Sequence, residues 1–315
     1  MKRIDLARSV EHILRSSGFY VSDSNMVSGI SFDLIARRDD ILLVIKIFSN
    51  IDSLDKKTAE ELKVIAKLLD ASPLVVGEKS TSKPLESGVM YRRYDIPIIS
   101  VGTLYDFFIE GVGPLIEAGK GGYYVTIDGE KLKRARLVKR ISLRIIADLA
   151  GVSKRSILAY EKGGMRTTVD IAINLEELTG EELIKEQDIL KKRYAQAEEG
   201  PISLEGLSPL EKEIIAFLLD IGCKVIPLRH SQLNALTKEE SHTILTGMSE
   251  EGHKLKEKAK IISTIAKITE KPSVFFLEKE INRKSMEGIP IIHKKELKRI
   301  SDPSQIIEII IERSE

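Results

Sequence analysis

The chain has 315 residues, of which 42% are hydrophobic and 31% are charged, and its formal net charge is +1. This length exceeds that of an average domain, so we expect two or three domains with packed cores. Its apolar runs are shorter than the roughly 18 residues of a membrane helix, and a lone cysteine excludes an internal disulfide framework. The sequence therefore predicts a cytoplasmic protein that does not contact membranes.

The first 110 residues are predicted to form a mixed α/β domain. Apolar residues recur at helical spacing from Leu6 to Leu14, and a second helical pattern covers residues 55–70. Strand-like apolar runs occupy FDLIA, ILLVIKIF, PLVVGE and DIPIIS. The last two runs have the continuous apolar character of a sheet that is buried on both faces.

The rest of the chain changes character three times. Residues 111–125 are rich in glycine and are predicted to form a linker or a hairpin, without the spacing of a phosphate-binding loop. Residues 126–183 are predicted to form short helices. Residues 184–207 are polar and are predicted to form a connector that is helical at first. Residues 208–315 return to a mixed α/β pattern.

The last segment repeats features of the first. In both, an apolar helix is followed by a proline, by a strand that ends in Glu-Lys, and by an Ile-Pro-Ile-Ile strand. The matching stretches are 10–21 with 214–225, 62–80 with 259–280 and 95–107 with 288–300. Because the three matches occur in the same order, the sequence predicts two diverged copies of one α/β unit around a helical module.

Charge is concentrated in the middle of this otherwise neutral chain. Between Glu130 and Thr168 there are eleven basic and three acidic residues. A basic segment in a neutral protein indicates a polyanionic partner for that segment. The alternative is an ordinary solvated helical surface.

A helix-turn-helix pattern lies inside the basic segment. Apolar residues from Ile145 to Leu149 form one helix face, and Ala-Gly-Val at 150–152 makes a tight turn. Ser153 can cap the next helix, which ends at Gly163. These residues resemble the helix-turn-helix of the lambda-repressor/Cro family, and the following TTVDIAINLEELTG resembles a later core helix of that family. The resemblance implies an all-α domain over 126–183 that binds double-stranded DNA.

The same resemblance implies a role for each residue of the second helix. That helix begins at Ser153 and would lie in the major groove of DNA, where Lys154, Arg155, Ser156 and Ala159 would face the bases. Arg155 is the candidate for reading guanine, because its planar fork can make a bidentate hydrogen bond.

Residues on either side of that helix would contact the phosphate backbone. The resemblance assigns this role to Leu143 and Arg144 before it and to Arg166 and Thr167 after it. Such contacts position a protein without reading sequence. Proteins of this class usually bind two half-sites roughly 34 Å apart as dimers, so we expect a homodimer. No cofactor is expected.

The outer α/β segment resembles the restriction-endonuclease-like fold, including the archaeal Holliday-junction resolvases. Asp33 matches the family's strand aspartate, Lys46 matches its lysine, and Glu11 stands where resolvases often place a helix carboxylate. The acid expected two residues before the lysine is replaced by Val44. Because Mg²⁺ requires several oxygen ligands, the three matching residues are interpreted as a catalytic remnant without a metal.

The second copy has lost more of this pattern. An ungapped alignment that starts at Phe32 places Asn234 opposite Asp33 and Gly247 opposite Lys46. We therefore expect both outer domains to be retained for their shape.

The predicted architecture is multi-domain. Two α/β restriction-endonuclease-like domains, 1–110 and 208–315, flank an all-α lambda-repressor-like helix-turn-helix domain, 126–183. This arrangement resembles a family of archaeal helix-turn-helix transcriptional regulators. The resemblance implies a sequence-specific DNA-binding regulator that is not an enzyme, with outer domains for dimerisation or for backbone or effector contact. The alternative is a Mg²⁺-dependent nuclease, similar to a Holliday-junction resolvase, that the helix-turn-helix targets to DNA.

Overall fold

A computed structural model describes residues 3–22, 32–163, 165–192, 204–228, 233–240, 242–250 and 255–314. The chain divides into two compact units. The first consists of Met1–Phe48, Ser53–Val75 and Lys192–Glu315, and the second of Ser49–Asp52 and Val76–Lys191. The domain boundaries given above stay predictions.

The N-terminal part of the first unit has the predicted order of helices and strands. Its elements are α1 (Arg3–Ser16), β1 (Tyr20–Val21), β2 (Leu34–Arg38), β3 (Ile41–Asn50), α2 (Lys56–Leu69) and β4 (Ser72–Ser80), of which β4 continues into the second unit. Helix α1 buries Leu6, Val10, Ile13 and Leu14, which confirms the predicted apolar face. Strands β1, β2 and β3 form an antiparallel ladder.

The second unit begins with strands. They are β5 (Lys83–Pro84), β6 (Val89–Arg93), β7 (Ile96–Ser100), β8 (Ile116–Gly119) and β9 (Gly122–Ile127), with the short helix α3 (Val101–Tyr105) after β7. The glycine-rich segment 111–125 thus contains most of the β8–β9 hairpin, which is one of its two predicted forms. Gly121 has φ +88° in its turn, a conformation that side chains with a Cβ rarely adopt.

Helices dominate the remainder of the second unit. The elements are α4 (Gly129–Val138), α5 (Leu143–Leu149), α6 (Lys154–Glu161), β10 (Arg166–Thr168), α7 (Val169–Thr179) and β11 (Ile184–Lys185). Strands β10 and β11 both pair with β9. The all-α prediction for 126–183 is therefore wrong at β10, where two β-branched threonines favour pairing with the strand β9.

The connector predicted at 184–207 also differs from expectation. It begins with strand β11 and has no helix over 186–192, whereas a helix was expected at its start. Its residues 193–203 lie outside the described part of the chain.

The C-terminal part of the first unit is a mixed sheet with helices. Its elements are α8 (Pro209–Asp220), β12 (Lys224–Pro227), β13 (Ala235–Glu239), β14 (His242–Ser249), α9 (Leu255–Thr269), β15 (Ser273–Leu277), β16 (Ser285–Met286), β17 (Ile289–His293) and α10 (Pro303–Arg313). The strand order is β12-β13-β14-β15-β17-β16, and β14, β15 and β17 are parallel. Within the described ranges, no helix is long and apolar enough to cross a bilayer.

The two α/β parts of the first unit share one strand register. Leu34 pairs with Ile45 in the first part, and the aligned Ala235 pairs with Thr246 in the second. This agreement supports the repeat that the sequence predicts.

In each of these two parts, one helix packs against a strand of the other part. Helix α9 lies against β2, and the equivalent helix α2 lies against β13. The Thr243 hydroxyl donates to the Leu68 carbonyl at 3.0 Å, and Arg37 forms an ion pair with Glu270 at 2.7 Å. The first unit is therefore a pair of similar halves with a pseudo-twofold relation.

Candidate functional site

Helices α5 and α6 are two short helices that pack together across a tight turn. The Ser142 hydroxyl caps α5 by accepting the Ile145 N–H at 3.2 Å, and the Ser153 hydroxyl caps α6 by accepting the Ser156 N–H at 3.0 Å. Gly151 in the turn has φ +68°, which favours glycine. The predicted cap at Ser153 is confirmed.

A buried ion pair ties α6 to α4. Arg136 donates to both carboxylate oxygens of Glu161, with Nε–Oε1 at 2.6 Å and Nη2–Oε2 at 3.1 Å. The hydrogen bonds that Arg136 donates to Glu161 raise the pKa of Arg136. A Cβ on Gly129 would lie 2.3 Å from the Tyr160 carbonyl oxygen, so α4 approaches α6 as closely as glycine permits. Both features fix the orientation of α6.

The first turn of α6 presents two cations. Lys154 and Arg155 are exposed, whereas Ser156 and Ala159 are half-buried. The hydroxyls of Ser153 and Ser156 are 2.9 Å apart. A helix N-terminus already carries a partial positive charge, so this end of α6 attracts anions.

The two predicted backbone contacts before α6 differ from each other. Leu143 packs against the helical core and is half-buried. Arg144 is 76% exposed, and its Nε lies 3.7 Å from Asp148 Oδ2 on the next turn. Only Arg144 of this pair presents a charged surface group.

The structure places the two residues predicted to contact DNA after α6 in different surroundings. Thr167 is 3% exposed, and its hydroxyl accepts a hydrogen bond from Tyr160 at 3.1 Å. Since successive strand residues point to opposite faces, Arg166 faces away from the helices that bury Thr167. Its guanidinium binds Glu117 at 2.8 Å and lies over the Tyr124 ring. The Thr167 side chain is therefore too buried to reach DNA, whereas Arg166, whose side chain is 50% exposed, stays a predicted backbone contact.

Glu117 was not predicted from the sequence. Burial opposes its ionisation, but Arg92 and Arg166 outweigh that effect and hold the pKa of Glu117 below its usual value. Its partners come from β6 and β10, which are far apart along the chain, so no sequence spacing indicates the cluster.

The nuclease remnant in the first unit is a buried ion cluster. Lys46 Nζ lies 3.5 Å from Asp33 Oδ1, and both residues are 4% exposed. Asp33 also accepts the Ile47 N–H at 2.7 Å and a hydrogen bond from Arg3. Burial lowers the pKa of Lys46, although the charge of Asp33 opposes that shift.

Arg3 binds two oxygens at this cluster that a divalent cation could otherwise use. Its guanidinium donates to Asp33 and, at 3.2 Å, to the Ile47 carbonyl oxygen. A carboxylate oxygen and a carbonyl oxygen are ligands that divalent cations prefer. Here both oxygens accept hydrogen bonds from a protein cation, which no sequence pattern had predicted.

The other members of the predicted remnant do not complete a metal site. Glu11 forms an ion pair with Arg15 at 3.0 Å. Val44 is fully buried opposite Ile35, where an acid would have no solvent. Across the described residues, no group of three or more His, Cys, Asp or Glu side chains could hold a metal ion.

The second copy repeats this arrangement with different residues. Asn234 accepts the Met248 N–H at 2.7 Å, as Asp33 accepts that of Ile47, and it donates to Glu211. Lys258 from α9 donates to the Met248 carbonyl oxygen at 2.6 Å, and burial lowers its pKa to about 8. The predicted equivalence of Asn234 to Asp33 is therefore confirmed.

The predicted counterpart of Lys46 is Gly247, and the structure explains why no lysine stands there. A Cβ on Gly247 would lie 2.5 Å from Ile262 Cδ1 and 2.8 Å from the Phe275 ring. The space that Lys46 occupies in the first copy is thus filled by apolar side chains in the second.

Comparison with known proteins identifies the remnant's fold. Residues 3–114 match the model of the PD-(D/E)XK superfamily domain. The N-terminal part of the chain is therefore a restriction-endonuclease-like domain, as expected. The match describes the fold and leaves activity open.

Comparison also finds relatives along the whole chain. A protein of Methanosarcina mazei is 39% identical over 318 residues, covering 98% of this chain and 97% of the relative. Proteins of Pyrococcus horikoshii (39% identical) and Archaeoglobus fulgidus (35% identical) each cover 98% of both chains. All three carry the name "Putative HTH-type transcriptional regulatory protein". The chain belongs to this archaeal protein family.

Proposed function

We propose that the protein is a sequence-specific DNA-binding transcriptional regulator that reads the major groove with α6. The observation that carries the proposal is the exposed pair Lys154 and Arg155 on the capped first turn of a rigidly held helix. The names of the full-length relatives agree with this role. The protein would act in the cytoplasm, where its DNA lies.

The dimensions of α6 support this role. An α-helix with its side chains is about 10–12 Å in diameter, which fits the roughly 12 Å width of the major groove, and the 8 residues of α6 give it more than two turns to place there. The buried Arg136–Glu161 pair holds α6 while its N-terminal cations stay accessible. Arg155 can donate two parallel hydrogen bonds to guanine, and Lys154 and Arg144 can neutralise phosphates.

We further propose that two copies of the chain bind together. Each chain supplies one α6, and half-sites roughly 34 Å apart need two such helices. In this proposal the outer α/β domains support dimerisation or contact the DNA backbone or an effector.

Replacing Arg155 with alanine should weaken binding to a selected DNA site by about 1–3 kcal/mol, because a bidentate base contact is lost. Binding would be measured by fluorescence anisotropy on duplex DNA selected from a random-sequence pool with the intact protein. Arg8→Ala, which removes an exposed arginine from α1, serves as the matched control. Equal affinity and an equal footprint for Arg155→Ala and the control would remove α6 as the reading element. Failure to select any duplex would refute the proposed function.

The alternative, a Mg²⁺-dependent nuclease, is favoured by the match to the PD-(D/E)XK superfamily domain. We expect no cleavage of duplex or branched DNA when Mg²⁺ is added, because Arg3 holds the oxygens that Mg²⁺ would need. Gel analysis of labelled substrates, with the milder variant Asp33→Asn as the control, tests this expectation. Metal-dependent cutting that Asp33→Asn abolishes while the protein stays folded would establish the nuclease instead.

A further inference from the structure

An open cleft of about 730 Å³ lies in the second α/β half of the first unit. It is at the carboxyl ends of the parallel strands β15 and β17, the edge where open α/β sheets commonly bind ligands. Its volume falls in the usual range of ligand pockets. The lining residues are Glu280, Ile281, Asn282, His293, Lys295, Glu296, Lys298 and Arg299.

Hydrogen bonds fix one wall of the cleft. The Ile281 N–H donates to His293 Nε2 at 3.2 Å, so the ring proton is on Nδ1, which lies 3.1 Å from Glu296 Oε2. Glu296 also accepts a hydrogen bond from Arg313 at 2.6 Å. Burial opposes the ionisation of Glu296, yet Arg313 and the His293 N–H lower its pKa to about 2. The wall is therefore preformed.

The charges that line the cleft do not cancel. Glu296 is compensated by Arg313, and Lys295 by Glu280. Lys298 and Arg299 are both exposed, and neither forms an ion pair within the described residues. Among those residues, two neighbouring cations are thus without a carboxylate partner.

The charged side chains that line the cleft occur only in the second of the two α/β copies, as far as the described residues show. The aligned Ile-Pro-Ile-Ile strands place Ser100 and Thr103 of the first copy where His293 and Glu296 stand in the second. The Ser100 and Thr103 hydroxyls are 3.0 Å apart and form a neutral cap. The charged cleft is therefore not a general requirement of this fold.

We propose that the cleft binds a small molecule that carries a phosphate group, with Lys298 and Arg299 as its anion ligands. A phosphate group carries close to two negative charges at neutral pH, which matches two uncompensated cations, whereas a carboxylate supplies one. The Asn282 amide lies beside them and can donate to a further ligand oxygen. A DNA backbone suits the cleft less well, because its neighbouring phosphates would also meet the carboxylate of Glu280, which lines the cleft.

The test uses inorganic pyrophosphate as the probe and the intact protein. Thermal denaturation should show a melting temperature that rises by several degrees with pyrophosphate, because a ligand that binds the folded state stabilises it. The double variant Lys298→Ala/Arg299→Ala should bind pyrophosphate at least about ten-fold more weakly, since both cations are lost. The control Lys260→Ala/Lys267→Ala removes two exposed lysines of α9 and should bind as the unaltered protein does.

Three outcomes would overturn the proposal. The first is no rise with pyrophosphate, and the second is an equal rise in all three proteins, which would indicate a general anion effect. The third is a loss of DNA affinity in the double variant as large as its loss of pyrophosphate affinity, which would assign the cations to the DNA backbone. The proposal does not depend on α6, so an Arg155→Ala result leaves it unaffected.

Discussion

Replacing Glu161 with alanine should destabilise the second unit by about 3–5 kcal/mol, because Arg136 would remain buried without a partner. The side chains of Arg136 and Glu161 are 10% and 6% exposed, so water cannot replace the lost contact. The free energy of unfolding would be measured by scanning calorimetry of the intact protein. DNA binding should weaken as well, since the pair orients α6.

The exposed pair Arg144–Asp148 provides the matched control. Asp148→Ala should change the free energy of unfolding by less than about 1 kcal/mol, because exposed ion pairs contribute little. The double variant Arg136→Met/Glu161→Leu should recover much of the lost stability, since it leaves no unpaired charge. If Glu161→Ala were as mild as Asp148→Ala, the buried pair would not be what holds α6.

The second large effect is expected at Asp33, the residue that matches the strand aspartate of the nuclease family. Asp33→Ala should destabilise the first unit by about 3–5 kcal/mol, because buried Lys46 would lose its counter-charge. The Ile47 N–H would also lose its acceptor. Calorimetry in the presence and absence of Mg²⁺ would measure this change, and we expect Mg²⁺ to make no difference.

Two further variants test whether the charge of Asp33 or its hydrogen bond matters more for stability. Asp33→Asn should cost less than Asp33→Ala, because an amide oxygen can still accept the Ile47 N–H, as Asn234 accepts that of Met248. Glu11→Ala should cost less than about 1 kcal/mol, since it removes one ion pair between neighbouring turns of a helix and the Arg15 side chain is 45% exposed to water. Stability that falls equally in Asp33→Ala and Glu11→Ala would contradict a structural role for the cluster.

Local patterns in the sequence predicted a large part of the fold. The apolar face of α1 and the cap at Ser153 depend on residues within one or two turns, and the structure has both. The alignment of Asn234 with Asp33 was also correct, because strand register follows the alternation of buried side chains. These features need no knowledge of distant contacts.

Features that depend on tertiary contacts could not be predicted. Arg3 reaches Asp33 across thirty residues, and Arg136 reaches Glu161 across twenty-five. In the sequence Arg136 is one of eleven basic residues, and nothing there distinguishes a buried cation from those that can face DNA. Thr167 was predicted to contact DNA for the same reason. Its burial follows from the pairing of β10 with β9, two strands that are far apart along the chain.

Because α9 packs on β2 and α2 packs on β13 within one chain, the sequences of the two halves can diverge independently. In a symmetric homodimer every substitution appears twice, so each interface residue must suit both sides of the twofold axis. Here both halves belong to one chain, and a substitution such as one at Arg37 alters a single contact. The covalent connection also keeps the partner at a high local concentration, so that a weakened contact does not separate the pair. One half can therefore acquire its own chemistry, as the charged cleft beside His293 illustrates, while the other preserves the shared scaffold.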